Sequence, residues 1–201
     1  MVVSYLILAG LWLMYFAVHS LLASPKVKKW TRSRLGKLHR YYRLGYNIVA
    51  VATIIPILLY NSIVSSEPIV GDIRVRDMLQ LFGLVLAAYG IIVIHLSFKQ
   101  FSKREFLGTP PLEANYTQPL RTDGVLQYVR HPLYSGTILI ALGLWCFSPT
   151  LANLITATIW IIYILVGIRL EETKLLKLYG EEYQVYKNQV PMLIPKLRLR
   201  R

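Results

Sequence analysis

Residues 133–170 read LYSGTILIALGLWCFSPTLANLITATIWIIYILVGIRL, 38 residues without a charge until Arg169. A bilayer core of about 30 Å takes roughly 20 residues of helix, so this run is too long for one span. Ser148-Pro149 lies near its middle. Proline has no backbone donor and disfavours helix at the residue before it. The run therefore predicts a tight helical hairpin: one span at 133–147, a turn at 148–150 and another span at 151–170.

Working outward, three more apolar blocks meet the length for a span: 2–24, 44–64 and 78–98. The predicted fold is all-α, a polytopic membrane bundle of about five transmembrane helices ending in a helical hairpin. Composition agrees, with 55% apolar and only 16% charged residues. The net charge of +13 would suit nucleic acid, but the Lys and Arg lie between the apolar blocks and at the tail. Such a chain has no soluble core from which to present a basic face to DNA, so no nucleic-acid partner is expected.

The placement of charge checks the count. The 25–43 segment carries eight Lys and Arg, 65–77 two, 99–132 five, and the tail from Arg169 eight. Five alternating spans put 21 on one side and two on the other. Four spans would split the basic 99–132 segment from the basic tail. The positive-inside rule then places the N-terminus outside and the C-terminus in the cytoplasm, across the inner membrane if the cell is bacterial. The first block lacks a basic n-region and is long for a signal peptide, so it is expected to be an uncleaved anchor. The basic run 25–43, with Trp30, Tyr41 and Tyr42, reads as an interfacial anchor beside anionic lipid. Two regions follow: 1–98, a three-helix membrane region, and 99–201, a long loop, the hairpin and a C-terminal segment.

Metal and thiol chemistry find little support. One cysteine, Cys146, sits in an apolar run and reads as a buried small side chain. The four histidines form no HxxH or HExxH pair. His19 and His95 read as polar helix ends facing the headgroups.

Two segments carry chemistry-bearing residues. The first ends in LRTDGVLQYVRHPLYSG, residues 120–136. Its loop, from 99, is long, and its leucines and valines predict a folded, membrane-facing cap. Pro132 suits the first turn of the hairpin helix, which puts His131 at its cap, where unpaired N–H groups attract anions. Arg130 can add a bidentate clamp, and Tyr134 lies one turn after His131. The second is LVGIRLEETKLLKLYGEEYQVYKNQVPMLIP, residues 165–195. Arg169, Glu171 and Glu172 sit at the end of a span, where charge is costly unless paired or wet. Gly180 predicts a helix stop, a second short helix follows, and Pro191 and Pro195 bracket an extended MLI piece folded back on the bundle. The two segments flank the same hairpin and so meet at its mouth.

RHPLYSG, then EETKLLKLYGEEYQVYKNQVPMLIP after a hairpin, resembles the integral-membrane methyltransferases. These include the isoprenylcysteine carboxyl methyltransferases, the phospholipid N-methyltransferases and their bacterial relatives. Every element of their R-H-P-x-Y-x-G, E-E-x-x-L, G-x-x-Y-x-x-Y and final Pro pattern is present, over about residues 118–195. HSLLASPKVKKW and YYRLGYN look closest to the bacterial thiol S-methyltransferase and NnrU-type branch.

The resemblance implies S-adenosylmethionine as methyl donor, enclosed by a cytoplasmic cap. It implies a cofactor pocket lined by His131, the backbone around Pro132, and Tyr134, with Glu171 and Glu172 on the ribose or amino end. Gly124, Tyr128 and Arg130, leading into the motif, complete the candidate cofactor-binding set. Arg169 and Glu172 are the catalytic candidates. The acceptor implied is a small thiol or lipid-like molecule, with membrane lipid around it and no metal required. A thiol must lose its proton, to Glu172 or His131, or be favoured as thiolate by Arg169. A prenylcysteine carboxylate or a lipid amine are alternative acceptors, and a non-enzymatic scaffold of the same fold is the alternative to an enzyme. A nicotinamide-dependent reductase is disfavoured, since no GxGxxG-type loop is present.

Overall fold

The computed structural model describes residues 2–64, 67–99 and 119–196. Among them lie seven α-helices: α1 (Val2–Ala23), α2 (Pro25–Leu35), α3 (Tyr42–Val64), α4 (Ile73–Phe98), α5 (Pro132–Phe147), α6 (Leu151–Tyr179) and α7 (Glu181–Gln189). Four helical stretches are long and apolar enough to cross a membrane: α1, α2 continuing into α3, α4 and α6. A fifth apolar helix, α5, is shorter: its 16 residues reach about 24 Å at 1.5 Å per residue. The bundle is all-α, as expected.

Helix ends follow local chemistry. Ser24 caps α2, accepting from the Val27 N–H at 3.4 Å, with Pro25 in the first turn. Asp72 accepts from Arg74 and Val75 at 2.8 and 3.3 Å, so α4 starts at Ile73 rather than at 78, where apolar character alone put it. Thr150 caps α6 through the Asn153 N–H at 3.3 Å, and the hairpin turns at the expected 148–150. At 29 residues, α6 is about 43 Å long and outruns a core of about 30 Å. Its end therefore projects from the bilayer with Glu171 and Glu172. Gly180, at φ 57°, adopts the left-handed turn that stops it. Of the expected cap at 99–136, residues 100–118 lie outside the described residues. The part that is described turns at Gly124, also at φ 57°, into a short 3-10 helix, Gly124–Gln127.

α4 packs on α5, α5 on α6, α6 on α1, and α1 on α3, which also touches α6. The α4–α5 contact is backbone on backbone. A Cβ added at Gly83 would stand 2.5 Å from the Gly143 carbonyl oxygen, and one at Gly90 would stand 2.7 Å from that of Gly136. Cys146 is buried beside this contact. With little apolar effect between helices in lipid, such close approach supplies the dispersion that holds them. Gly90→Ala and Gly143→Ala are expected to destabilise the bundle by on the order of 1–3 kcal/mol through overpacking. Gly10→Ala, whose Cβ would meet nothing within 4 Å, is the control. Thermal melts of the detergent-purified chain check this; three equal midpoints would refute it.

α1 and α3 are pinned to α6 by apolar and polar contacts. Leu8, Trp12, Ile57 and Ala152 form a buried cluster. Beside it the Trp12 indole donates to Thr156 at 2.9 Å, Thr156 donates to the Asn61 side chain at 2.9 Å, and Asn61 donates to Asn153 at 2.7 Å. The Trp12, Thr156, Asn61 and Asn153 side chains thus satisfy one another inside the bundle, as a bilayer favours.

Candidate active site

The site is built where α5 begins and α6 leaves the membrane. Pro132 opens α5, and His131 is its N-cap residue. The backbone N–H of Arg130 donates to the Pro191 carbonyl at 2.9 Å and that of His131 to Met192 at 3.1 Å. The Ser135 hydroxyl donates to the Leu193 carbonyl at 2.7 Å. The segment after α7 is thus strapped back across the start of α5, as Pro191 and Pro195 suggested. Tyr186 of α7 ties the other side, donating to the Leu126 carbonyl at 2.7 Å.

Glu172 is the centre of this junction. It is 7% exposed. Its Oε1 accepts from Arg130 Nε at 2.9 Å and Nη2 at 2.6 Å, and lies 3.2 Å from His131 Nε2. Its Oε2 is 2.9 Å from the Lys187 ammonium. Arg130 Nη1 donates to the Lys187 carbonyl at 3.0 Å and to that of Val190. One carboxylate therefore joins α6, the residues before α5, and α7. Burial acts to raise its pKa, but hydrogen bonds from Lys187, Arg130 and His131 outweigh it and hold the group at about 2. Arg130 is not an open clamp for a ligand, as its sequence position suggested. Its fork is filled by Glu172 and two carbonyls.

Successive helix residues point about 100° apart, so Glu171 faces elsewhere. It is half-buried and lies against the Tyr134 hydroxyl, outside the Arg130–Lys187 latch. The Tyr134 ring in turn sits 5.8 Å from that of His131. Two fixed cations surround Glu172, so the latch is net positive, and Glu171 supplies negative charge beside it. Tyr183 is buried with its hydroxyl lacking a well-formed hydrogen bond, and burial with the nearby Glu172 charge pushes its pKa up to about 12.

Of the sequence candidates, the fold brings together Arg130, His131, Pro132, Tyr134, Glu171 and Glu172. Gly124 and Tyr128 stand apart: the turn after Gly124 buries Val129 and leaves Tyr128 61% exposed. Arg169 is exposed and makes no ion pair among the described residues. Sequence reasoning missed Lys187. Its signal was spacing, one helical turn after Tyr183 on the same face.

A multi-pass helical bundle with a polar junction at the end of its hairpin is the setting in which comparison with known proteins becomes informative. Residues 78–182 match the model of the phospholipid methyltransferase family. A methanethiol S-methyltransferase of Crocosphaera subtropica is 33% identical over 97% of this chain and 76% of its own length. Methanethiol S-methyltransferase 1 of Bradyrhizobium diazoefficiens is 42% identical over 43% of this chain and 27% of its own. A protein-S-isoprenylcysteine O-methyltransferase of Schizosaccharomyces pombe is 39% identical over 38% of this chain and 33% of its own. No solved structure matches the chain significantly. The chain belongs to the phospholipid methyltransferase family and is a membrane methyltransferase.

Proposed function

We propose that the chain transfers a methyl group from S-adenosylmethionine to a small thiol, with its active site on the cytoplasmic face. The observation that carries the donor is the half-buried pair Glu171 and Tyr134, set beside a net-positive latch. This set suits a zwitterionic end with hydroxyls: Glu171 takes an ammonium or ribose hydroxyl, and the latch and the start of α5 favour a carboxylate. When bound, the donor supplies a methyl group already activated on a sulfonium sulfur. The protein then aligns methyl and nucleophile, which contributes about 7–11 kcal/mol. His131, its ring held by Glu172, packs beside Tyr134 and supports it. Glu172 is a positioning residue, since a carboxylate near 2 holds a thiol's proton poorly.

The thiol is preferred because the likeness to the Crocosphaera thiol enzyme runs over nearly the whole chain, whereas the isoprenylcysteine enzyme matches a minority of it. The test is calorimetric titration of S-adenosylmethionine into the purified chain, then labelled methyl transfer to a panel of thiols, prenylcysteines and amine lipids. Glu171→Gln and Tyr134→Phe are each expected to weaken donor binding about tenfold, the worth of one charge-assisted contact. Label on prenylcysteine or lipid and on no thiol would overturn the acceptor. Unchanged binding in both variants would overturn the site.

A further inference from the structure

A second polar cluster lies between α1, α3 and α6, apart from the Glu172 latch. His19, read from sequence as a helix end facing headgroups, is instead half-buried among aromatic rings. The Tyr46 hydroxyl is 2.5 Å from its Nε2 and 3.0 Å from its Nδ1. Tyr15 stacks on its imidazole at 5.8 Å, and Tyr163 stands edge-on at 6.3 Å with its hydroxyl 3.1 Å from Ser20. The titratable groups around it are Tyr15 on its own helix, Tyr46 on α3 and Tyr163 on α6, with Tyr42 and Arg43 near Tyr46. Among the described residues no carboxylate pairs with it, and the Tyr46 hydroxyl is its hydrogen-bond partner.

His19, Tyr15 and Tyr46 of this cluster line a half-open chamber of about 270 Å³ between α1 and α3. Apart from His19, Tyr15, Tyr46 and Thr53 the lining is apolar, with Met14, Val18, Val49 and Pro56 among it. The cluster and the candidate active site are electrostatically coupled, since Tyr46 and Tyr163 both act on Tyr134, the residue that faces Glu171. An apolar chamber holding one basic group suits a compact apolar nucleophile carrying an acidic hydrogen.

We propose that this chamber receives the acceptor thiol and that His19, positioned by Tyr46, takes its proton during methyl transfer. The inference rests on the thiol-methyltransferase reading above. The thiol S–H bond breaks, its proton passing to an imidazole nitrogen and its electron pair staying on sulfur. That pair forms the new S–CH3 bond as the bond between the methyl group and the sulfonium sulfur breaks. The electrons of the broken bond return to the donor sulfur, which departs as a neutral thioether. The Tyr46 oxygen accepts a hydrogen bond from the imidazolium that results.

The test uses the full chain in lipid nanodiscs, with S-adenosylmethionine and ethanethiol as the probe. His19→Ala is expected to lower kcat for ethanethiol about 100-fold, and to leave donor affinity, measured without acceptor, within about twofold. With 2,2,2-trifluoroethanethiol, an acidic thiol far more ionised near neutral pH, the deficit should shrink to about fivefold, since less proton removal is needed. Ala50→Phe, which fills the chamber, should raise KM for ethanethiol about tenfold. Equal loss with both thiols would show a structural role and overturn the proposal. So would a His19→Ala rate within about threefold of the unsubstituted chain, or loss of donor binding in that variant. Failure of the unsubstituted chain to bind the donor overturns the methyltransferase reading and this inference together, and it is seen by calorimetry before any variant is made.

Discussion

Glu172→Ala is expected to lower the thermal midpoint by roughly 10 °C. Removing one partner of a buried ion cluster costs about 3–5 kcal/mol, and a domain of this size loses about 2–4 °C per kcal/mol. The cost arises mainly from what is left behind. The Arg130 and His131 side chains are only 7% and 4% exposed, so neither gains water to replace the carboxylate. α7 and the strap at 190–193 lose the common anchor that joins them to α5, and donor binding should fall with them. Glu171→Ala is the contrasting variant. It removes a carboxylate outside the latch, so it should weaken donor binding while leaving the midpoint within about 2 °C. Equal melting of the two variants would refute the latch.

Acid should reproduce the same loss. Glu172 is lowered from an ordinary 4.5 to about 2. A carboxylate whose folded value is depressed stabilises fully above its unfolded pKa and loses that contribution as pH falls through the folded one. The window is therefore from 4.5 down to about 2, and the contribution at stake is about 3 kcal/mol. Midpoints measured across that interval should fall more steeply for the unsubstituted chain than for Glu172→Ala. Parallel slopes would show that Glu172 does not carry the effect.

The hairpin was legible because a proline inside an apolar run has one comfortable place, a turn, and because the run is too long for a single span. The Glu171–Glu172 pair was legible because charge at a membrane boundary demands a reason. The direction each carboxylate faces was not. It depends on the helix phase of α6 relative to α5 and α7, and the Arg130 fork closes on groups 42, 57 and 60 residues away. The α4–α5 glycine contact was present as two glycines seven residues apart on each helix, Gly83 with Gly90 and Gly136 with Gly143. Nothing in sequence says that these two rows face each other, because the helices are separated by the long segment before α5. His19 was misread for a related reason. Near the end of an apolar block, headgroups and a neighbouring helix are equally plausible surroundings, and only the placement of Tyr46, 27 residues on, decides between them.

Arg130→Lys should fail nearly as badly as Arg130→Ala, although it keeps the charge. The guanidinium donates in three directions at once: Nε and Nη2 to Glu172, and Nη1 to the carbonyls of Lys187 and Val190. An ammonium is a point charge on a flexible stem and cannot hold that planar fork. Lysine at 130 would keep at most the ion pair to Glu172, in competition with Lys187, and would leave buried carbonyls at the end of α7 unpaired. Each unsatisfied group costs about 1–3 kcal/mol. The strap at 190–193 would then be held by the backbone bonds from Arg130 and His131 and the Ser135 hydroxyl alone. Hydrogen exchange of α7 and the strap should rise at least tenfold in Arg130→Lys, with exchange in α4 and α1 unchanged, since the two carbonyls left unpaired together exceed about 1.4 kcal/mol of local protection. Protection equal to that of the unsubstituted chain would mean that charge alone, and not the fork, closes the site.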